Sequence, residues 1–346
     1  MGGGRLELSG VSFRHKMSDP RRFRPWKTRP GPGIHDISFT LPAGSIIGLI
    51  GANGAGKTTL MNVLCGLVMP ESGTIKLDEE IIASKGMKAK GHSQIGFMPE
   101  QVTWPGPGTP RQSLEWLSAM RDEENDLDSI FKLVGLSSRS DSQLESMSGG
   151  MRQRLSLASA LLGNPKILIL DEPLNGLDPV AQVAFQGLLR QLADKGHTIL
   201  ISSHMLAELD RFVDRIIVLH KGQLIGQGTI NDVESNLRLA KKMIFKGFGD
   251  SPTNIIESSG LQIVEENEGN SKWSITVNLE SNFSPKQVSE LVSKLSKSGH
   301  APCEVSTISY DLATILSAAT GLTPSEVGME VDEHFVVPLA KIGGEE

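Results

Sequence analysis

The segment Gly51-Ala-Asn-Gly-Ala-Gly-Lys-Thr-Thr59 follows directly on the apolar run Ile46-Ile-Gly-Leu-Ile50. A strand, a glycine loop and a helix in that order make a cradle for the phosphates of a nucleotide. Gly51, Asn53, Gly54, Ala55 and Gly56 let the backbone curl so that its N–H groups face phosphate oxygens, and the following helix adds the positive end of its dipole. In this spacing Lys57 serves the β and γ phosphates as a point charge and the Thr58 hydroxyl holds Mg²⁺, with Thr59 also among the nucleotide-binding residues. A glycine-rich turn feeding a packed helix is the bland alternative, so the surrounding residues must decide.

A second stretch, Ile167-Leu-Ile-Leu-Asp-Glu172, ends an apolar strand in two acids. Beside the glycine loop, Asp171 would hold Mg²⁺ directly or through water. Glu172, just past the strand end, would take a proton from the water that attacks the γ phosphate. Ser148-Gly149-Gly150 precedes a helical pattern and reads either as an ordinary N-cap or as a second anion site. In Asn175-Gly-Leu-Asp-Pro179, Asp178 and Pro179 open the next helix. His204 follows the apolar run Thr198 to Ser202 and reads either as a hydrogen-bonded structural residue or, at a strand's carboxyl end, as a phosphate contact.

These residues need a parallel α/β core to converge. The pattern predicts strands at Leu6 to Phe13, Ile34 to Leu41, Ile46 to Ile50, Ile95 to Pro99, Ile167 to Leu170, Thr198 to Ser202 and Arg215 to Leu219. Helices are expected over Thr58 to Leu67, Met151 to Gly163, Val180 to Lys195 and Met205 to Phe212. Between Thr109 and Ser146 lies a small helical insertion, two short helices joined by Asp122-Glu-Glu-Asn-Asp126. Glu79 to Gly91 reads as a polar connection. Arg14 to Gly33 is basic, carries Phe23, Trp26 and four prolines, and is expected to be irregular: a solvated loop, or a contact for acidic headgroups or an acidic partner. After Gly228 the pattern changes. Asp232 to Ala240 reads as a helical linker; strands at Lys242 to Phe248, Trp273 to Leu279 and Glu304 to Ser309, with helices at Pro285 to Ser298 and Asp311 to Ala319, form a small α+β domain. The expected boundaries are 5–230 for the core, 104–163 for its helical part, 14–33 for the basic insertion, 231–241 for the linker and 242–321 for the second domain. The tail 322–346 has little periodicity and is expected to be loose.

Composition narrows the class. A chain of 346 residues with 38% hydrophobic content can bury one large and one smaller core, and a net charge of −6 argues against a surface built for nucleic acid. Cys65 and Cys303 stand far apart without metal-ligand spacing, so neither a disulfide framework nor a zinc site is expected. No run of about 18 apolar residues occurs, and the start lacks the apolar core of a signal peptide. Leu6 occupies the position where a myristoylation signal needs Ser or Thr. The chain is therefore expected to be soluble by itself.

Taken in order, the glycine loop, Ser148-Gly-Gly, Ile167-Leu-Ile-Leu-Asp-Glu-Pro173, Gly176-Leu-Asp-Pro179 and Ser202-Ser-His204 resemble the ATP-binding subunits of ABC transporters over Leu6 to Gly228. The resemblance implies an α/β P-loop NTPase core with an N-terminal antiparallel β region and a small helical subdomain, followed here by the C-terminal α+β appendage. It implies ATP and Mg²⁺ as ligands, with Glu172 as general base and His204 on the γ phosphate. It also implies a head-to-tail dimer around two ATP molecules, in which Ser148-Gly149-Gly150 of one copy caps the nucleotide held by the other and Asp178 communicates across the interface. The expected partner is a separately encoded membrane permease, the expected place the cytoplasmic face of the membrane, and no nucleic acid is expected. Val305 to Gly321 is similar, more loosely, to the tail of multidrug and antibiotic-type exporters.

Three positions depart from the family pattern. Met151 stands where glutamine is usual after Ser-Gly-Gly. His15 aligns with the aromatic residue that stacks on adenine, with Phe23 or Trp26 as substitutes. The Mg²⁺-sensing glutamine is either Gln101 or, by strict alignment, replaced by Glu100. In the helical insertion Trp104 and Trp116 are candidate anchors for the permease, the other reading of Trp116 being subdomain core. The competing functions are an importer subunit, a soluble ATPase of this type acting on ribosomes or DNA, and a regulatory module that binds ATP with little turnover. Intact Asp171, Glu172 and His204 count against the last.

Overall fold

The computed structural model describes residues 4–18, 28–87, 92–104, 107–121, 124–203, 206–237, 239, 241–269, 271–279, 285–308 and 310–321. His204, the centre of the basic insertion (19–27) and the tail 322–346 lie outside these residues. Contacts divide the chain into two units, one ending at Val233 and resumed at Leu312, the other running from Glu234 to Asp311.

The first unit opens with strands β1 (Leu6–Ser18) and β2 (Thr28–Leu41), then β3 (Ile46–Ile50), helix α1 (Lys57–Leu64), β4 (Ser72–Leu77), β5 (Glu80–Ser84) and β6 (Ile95–Met98). Helices α2 (Pro110–Arg121) and α3 (Leu127–Leu133) follow, then α4 (Gly149–Ala160), β7 (Ile167–Leu170), α5 (Pro179–Asp194), β8 (Thr198–Ser202), α6 (Leu206–Leu209), β9 (Arg215–His220), β10 (Gln223–Gly228) and α7 (Ile230–Asn236), whose residues from Glu234 on belong to the second unit. An antiparallel sheet in the order β2-β1-β4-β5 faces a six-stranded sheet in the order β10-β9-β3-β8-β7-β6 through one shared core. In the second sheet β3, β6, β7, β8 and β9 run parallel and β10 closes one edge antiparallel. The central strands β3, β7 and β8 are buried along their whole length, which is why they read as unbroken apolar runs rather than alternating ones.

Two expectations in this half give way. Arg14 to Gly33 is not wholly irregular: β1 runs on to Ser18 and β2 starts at Thr28, with Arg14 opposite Gly33 and Lys16 opposite Pro30. Pro30 and Pro32 are accommodated because β2 is the edge of its sheet, where a missing N–H breaks no ladder. The connection Glu79 to Gly91 contains β5, paired antiparallel with β4 through a tight turn at Asp78, whose φ is +54°. Only Ala83 of β5 is buried and Glu80 and Ile81 are exposed, so only a weak apolar pattern marks the strand.

The helical part has a small core of its own, with Leu114, Phe131, Val134, Leu136, Leu144 and Met147 buried. Asp126 caps α3 by accepting from the Ser129 N–H at 3.1 Å. Arg111 ties the segment together, bonding Asp128 at 2.6 Å and Asp141 at 3.3 Å while its guanidinium lies 5.4 Å over the Phe131 ring. Trp116 is not part of that core: it is 62% exposed, with Met120 one turn on 66% exposed.

The second unit comprises β11 (Lys241–Phe248), α8 (Thr253–Glu257), β12 (Gln262–Gly269), β13 (Lys272–Leu279), α9 (Pro285–Lys297) and β14 (Pro302–Ile308). Its βαββαβ order and antiparallel sheet β12-β13-β11-β14 bury Phe245, Trp273, Ile275 and Val277 against Ile256 of α8 and Leu291 and Leu295 of α9. Gly247 permits this packing, since a Cβ there would lie 2.3 Å from the Trp273 ring. The last helix, α10 (Leu312–Thr320), was expected to close this domain at 321. Instead it belongs to the first unit, where it packs on α6 and β9 and buries Leu312, Ile315 and Leu316.

Candidate nucleotide site

Strand β3 delivers the chain to the loop 51–56, and two glycines there answer to different constraints. A Cβ on Gly51 would sit 2.5 Å from the Leu219 carbonyl oxygen, so β9 leaves room for nothing larger. Gly56, the N-cap of α1, has φ +102°, a conformation that side chains resist. No side chain caps α1 there, and no acidic residue stands in its first turn. A helix start of that kind suits an external anion. By contrast α4 and α5 carry their own caps. Lys57 is 9% exposed, and its Nζ donates to the carbonyls of Gly51 at 2.6 Å and Ala52 at 3.2 Å, lying across the mouth of the loop. Asn53 and Gly54 form the exposed rim and Ala55 is buried beneath it.

Strand β7, separated from β3 by β8, ends at Leu170, and the next residue, Asp171, is 4% exposed. The Thr58 hydroxyl donates to Asp171 Oδ2 at 3.1 Å, and the Ser202 hydroxyl donates to Oδ1 at 2.5 Å. A hydroxyl and a carboxylate side by side are hard oxygen donors of the kind Mg²⁺ takes together with phosphate and water, so the residues fit that ion. Among the described residues no group of three or more His, Cys, Asp or Glu is placed to hold a metal ion. Burial, with the nearby Asp171 charge second, pushes the Cys65 thiol far above its ordinary pKa, which keeps it neutral under the site.

Glu172 follows with φ +49°, and its N–H donates to Ser202 Oγ at 2.9 Å. Glu172 is half-buried at the sheet's carboxyl end, two residues past Leu170. Pro173, next in the chain, offers its carbonyl to Gln153 Nε2 of α4 at 2.7 Å, linking this corner to the helix that begins at Ser148. Ser148 does cap α4, accepting from the Met151 N–H at 3.3 Å, and Gly149 and Gly150 lie against the turn 176–181. Asp178 caps α5 through the N–H groups of Val180 and Ala181 at 3.0 and 2.9 Å. Ser148, Gly149, Asp178 and Val180 are all exposed, giving one open surface built from two helix starts.

His15 stands on β1 with Nε2 3.0 Å from Thr59 Oγ1 and its ring edge-on to Phe13 at 5.1 Å. Glu100 and Gln101 are both exposed in the loop after β6. Ser202 received no role from the sequence, yet its hydroxyl meets both the Asp171 carboxylate and the Glu172 N–H. The signal was a polar residue ending a buried apolar strand at the mouth of the site.

The sequence profile described as ABC transporter matches residues 34–175. The chain is 32% identical over 209 residues to the linearmycin resistance ATP-binding protein LnrL of Bacillus subtilis, covering 59% of this chain and 67% of that one. The chain belongs to the ABC transporter ATP-binding family. It is also 36% identical over 200 residues to the Nod factor export ATP-binding protein I of Burkholderia lata, covering 56% of this chain and 65% of that protein's length. A solved ATP-binding subunit of an ABC transporter superposes with TM-score 0.54 at 27% identity, over 68% of this chain and 93% of that one. A bacterial Atm1-family ABC exporter with ATP bound shares the fold at TM-score 0.54 and 24% identity, over 68% of this chain and 41% of that one. The α/β ABC ATPase core and its antiparallel β region are thus the family's fold in this chain.

Proposed function

We propose that this ABC protein is the ATP-hydrolysing subunit of a membrane exporter, pairing head to tail around two ATP molecules and driving a separately encoded permease. The observation that carries the reading is the meeting of Thr58 with Asp171 directly beneath the glycine loop, with Glu172 next in the chain. Gly51, Asn53, Gly54, Ala55, Gly56 and Thr59 shape the phosphate cradle, and Lys57 supplies its charge. Thr58 and Asp171 hold Mg²⁺, with Glu100 or Gln101 as a further oxygen donor. Mg²⁺ would neutralise charge on the phosphates. Glu172 takes the proton of the attacking water, and His204 acts at the γ phosphate. His15 serves the base side of the site.

The exposed surface of Ser148, Gly149, Gly150 and Asp178 supports the dimer. It continues onto α5 through Val180 and Val183, which are 79% and 64% exposed, an apolar patch a partner copy would cover. On α2, Trp116 and Met120 give the permease a docking surface, aromatic and sulfur-bearing as protein contacts favour. Among the described residues no helix is long and apolar enough to cross a membrane. In this reading the permease holds the chain at the cytoplasmic face. Relatives named for Nod factor export and linearmycin resistance support export, of a small molecule, lipid or polysaccharide. Purification from detergent-solubilised membranes tests the assignment: a multi-span protein is expected to come with the chain, and Trp116→Ala should weaken that complex. Association with ribosomes or DNA alone would overturn it.

A further inference from the structure

We infer that Ser202 is a positioning residue for the hydrolytic site, one hydroxyl that sets both acids of the β7 strand end; the inference rests on the function proposed above. Ser202 ends β8 with no exposed surface, beside β7 and β3. Its Oγ lies 2.5 Å from Asp171 Oδ1 and 2.9 Å from the Glu172 nitrogen. The directions of the two bonds are forced. An N–H can only donate, so the serine oxygen accepts from Glu172 and gives its single proton to the carboxylate.

Each bond has a consequence for the reaction. With Oδ1 engaged by Ser202, the carboxylate of Asp171 is held so that Oδ2 faces Thr58 Oγ1, and the two proposed Mg²⁺ ligands are fixed relative to each other. The other bond anchors the peptide of Glu172, whose φ of +49° is uncommon for a residue with a side chain. That peptide determines where the proposed base leaves the strand. A serine at this point therefore couples the metal-ligand orientation to the base orientation through one oxygen, which neither alanine nor an aliphatic residue could do.

The test compares Ser202→Ala and the near-isosteric Ser202→Cys with wild type and Ser202→Thr in the full chain. Binding of a fluorescent ATP analogue is titrated in Mg²⁺ and in EDTA, and steady-state hydrolysis is measured against Mg²⁺ concentration. For Ala and Cys the affinity in EDTA should stay within about twofold of wild type. The gain in affinity brought by Mg²⁺ should fall about tenfold, kcat should fall about 10- to 100-fold, and Ser202→Thr should restore most of both. Ser202→Cys preserves the buried volume and carries the comparison should the alanine variant fail to fold. Wild-type kcat and Mg²⁺ gain in the Cys variant would overturn the inference, as would an equal loss of affinity with and without Mg²⁺, which marks a purely structural role. If wild type itself binds no ATP, the proposed function fails instead.

Discussion

Thr58 and Asp171 stand 113 residues apart in the chain and meet at 3.1 Å, Thr58 Oγ1 donating to Asp171 Oδ2. The contact joins the first turn of α1 to the end of β7, two elements held in place by β3 and β8 between them. It turns two separate sequence motifs into one donor set.

Lys57→Ala should weaken ATP binding by about 1.5–3 kcal/mol, the usual worth of hydrogen bonds to a charged group. Titration with a fluorescent ATP analogue measures it. The ammonium lies between the Gly51 and Ala52 carbonyls, so the variant should also loosen the loop. Unchanged affinity would overturn the cradle assignment.

Glu172→Gln should keep ATP binding and slow turnover by ~10²–10⁴, the range that a general base contributes. With hydrolysis blocked, an ATP-bound dimer should accumulate in size-exclusion chromatography. Turnover at the wild-type rate would remove Glu172 from the role of base.

Stability should fall with acid through His197. Its Nδ1–H donates to the Pro165 carbonyl at 2.7 Å, yet burial, assisted by Lys195, pulls its pKa below the ordinary value near 6.5. The folded state thus disfavours the imidazolium. This contribution is complete above the unfolded pKa and is lost as pH falls through the lowered folded value. Thermal melts should show a lower Tm at pH 5 than at pH 7, and His197→Gln should flatten part of that difference. An identical pH slope in the variant would exclude His197 as a source.

The parts of the fold legible in the sequence were those with a strong hydrophobic signal. Strands β3, β7 and β8 are buried on both faces and announce themselves as apolar runs, and Pro179 with Asp178 marks the start of α5. Strands β5, β10 and β12 were missed because β5 and β10 bury one residue each and β12 none, so no core imposed an alternation on their side chains: β12 reads Gln-Ile-Val-Glu-Glu-Asn-Glu-Gly. The extension of β1 and β2 was hidden by prolines that only an edge strand tolerates. In the site, residue types at fixed spacing revealed Lys57, Thr58, Asp171 and Glu172, since their chemistry is tied to local sequence. Ser202 was not legible because its role depends on β8 lying beside β7, a neighbour relation that no short motif encodes.

The return of α10 to the first unit changes what the second unit is. Residues Glu234 to Asp311 leave the ATPase core and come back to it, and their two ends are pinned together where the Tyr310 N–H donates to Glu234 Oε1 at 3.1 Å. The βαββαβ unit is a detour in the chain, anchored at both feet, and closing so long a loop costs little more than closing a short one. Such a detour can be lengthened, exchanged or deleted without recutting the core, whereas a simple truncation at its start would carry α10 away and bare the apolar surface of α6 and β9.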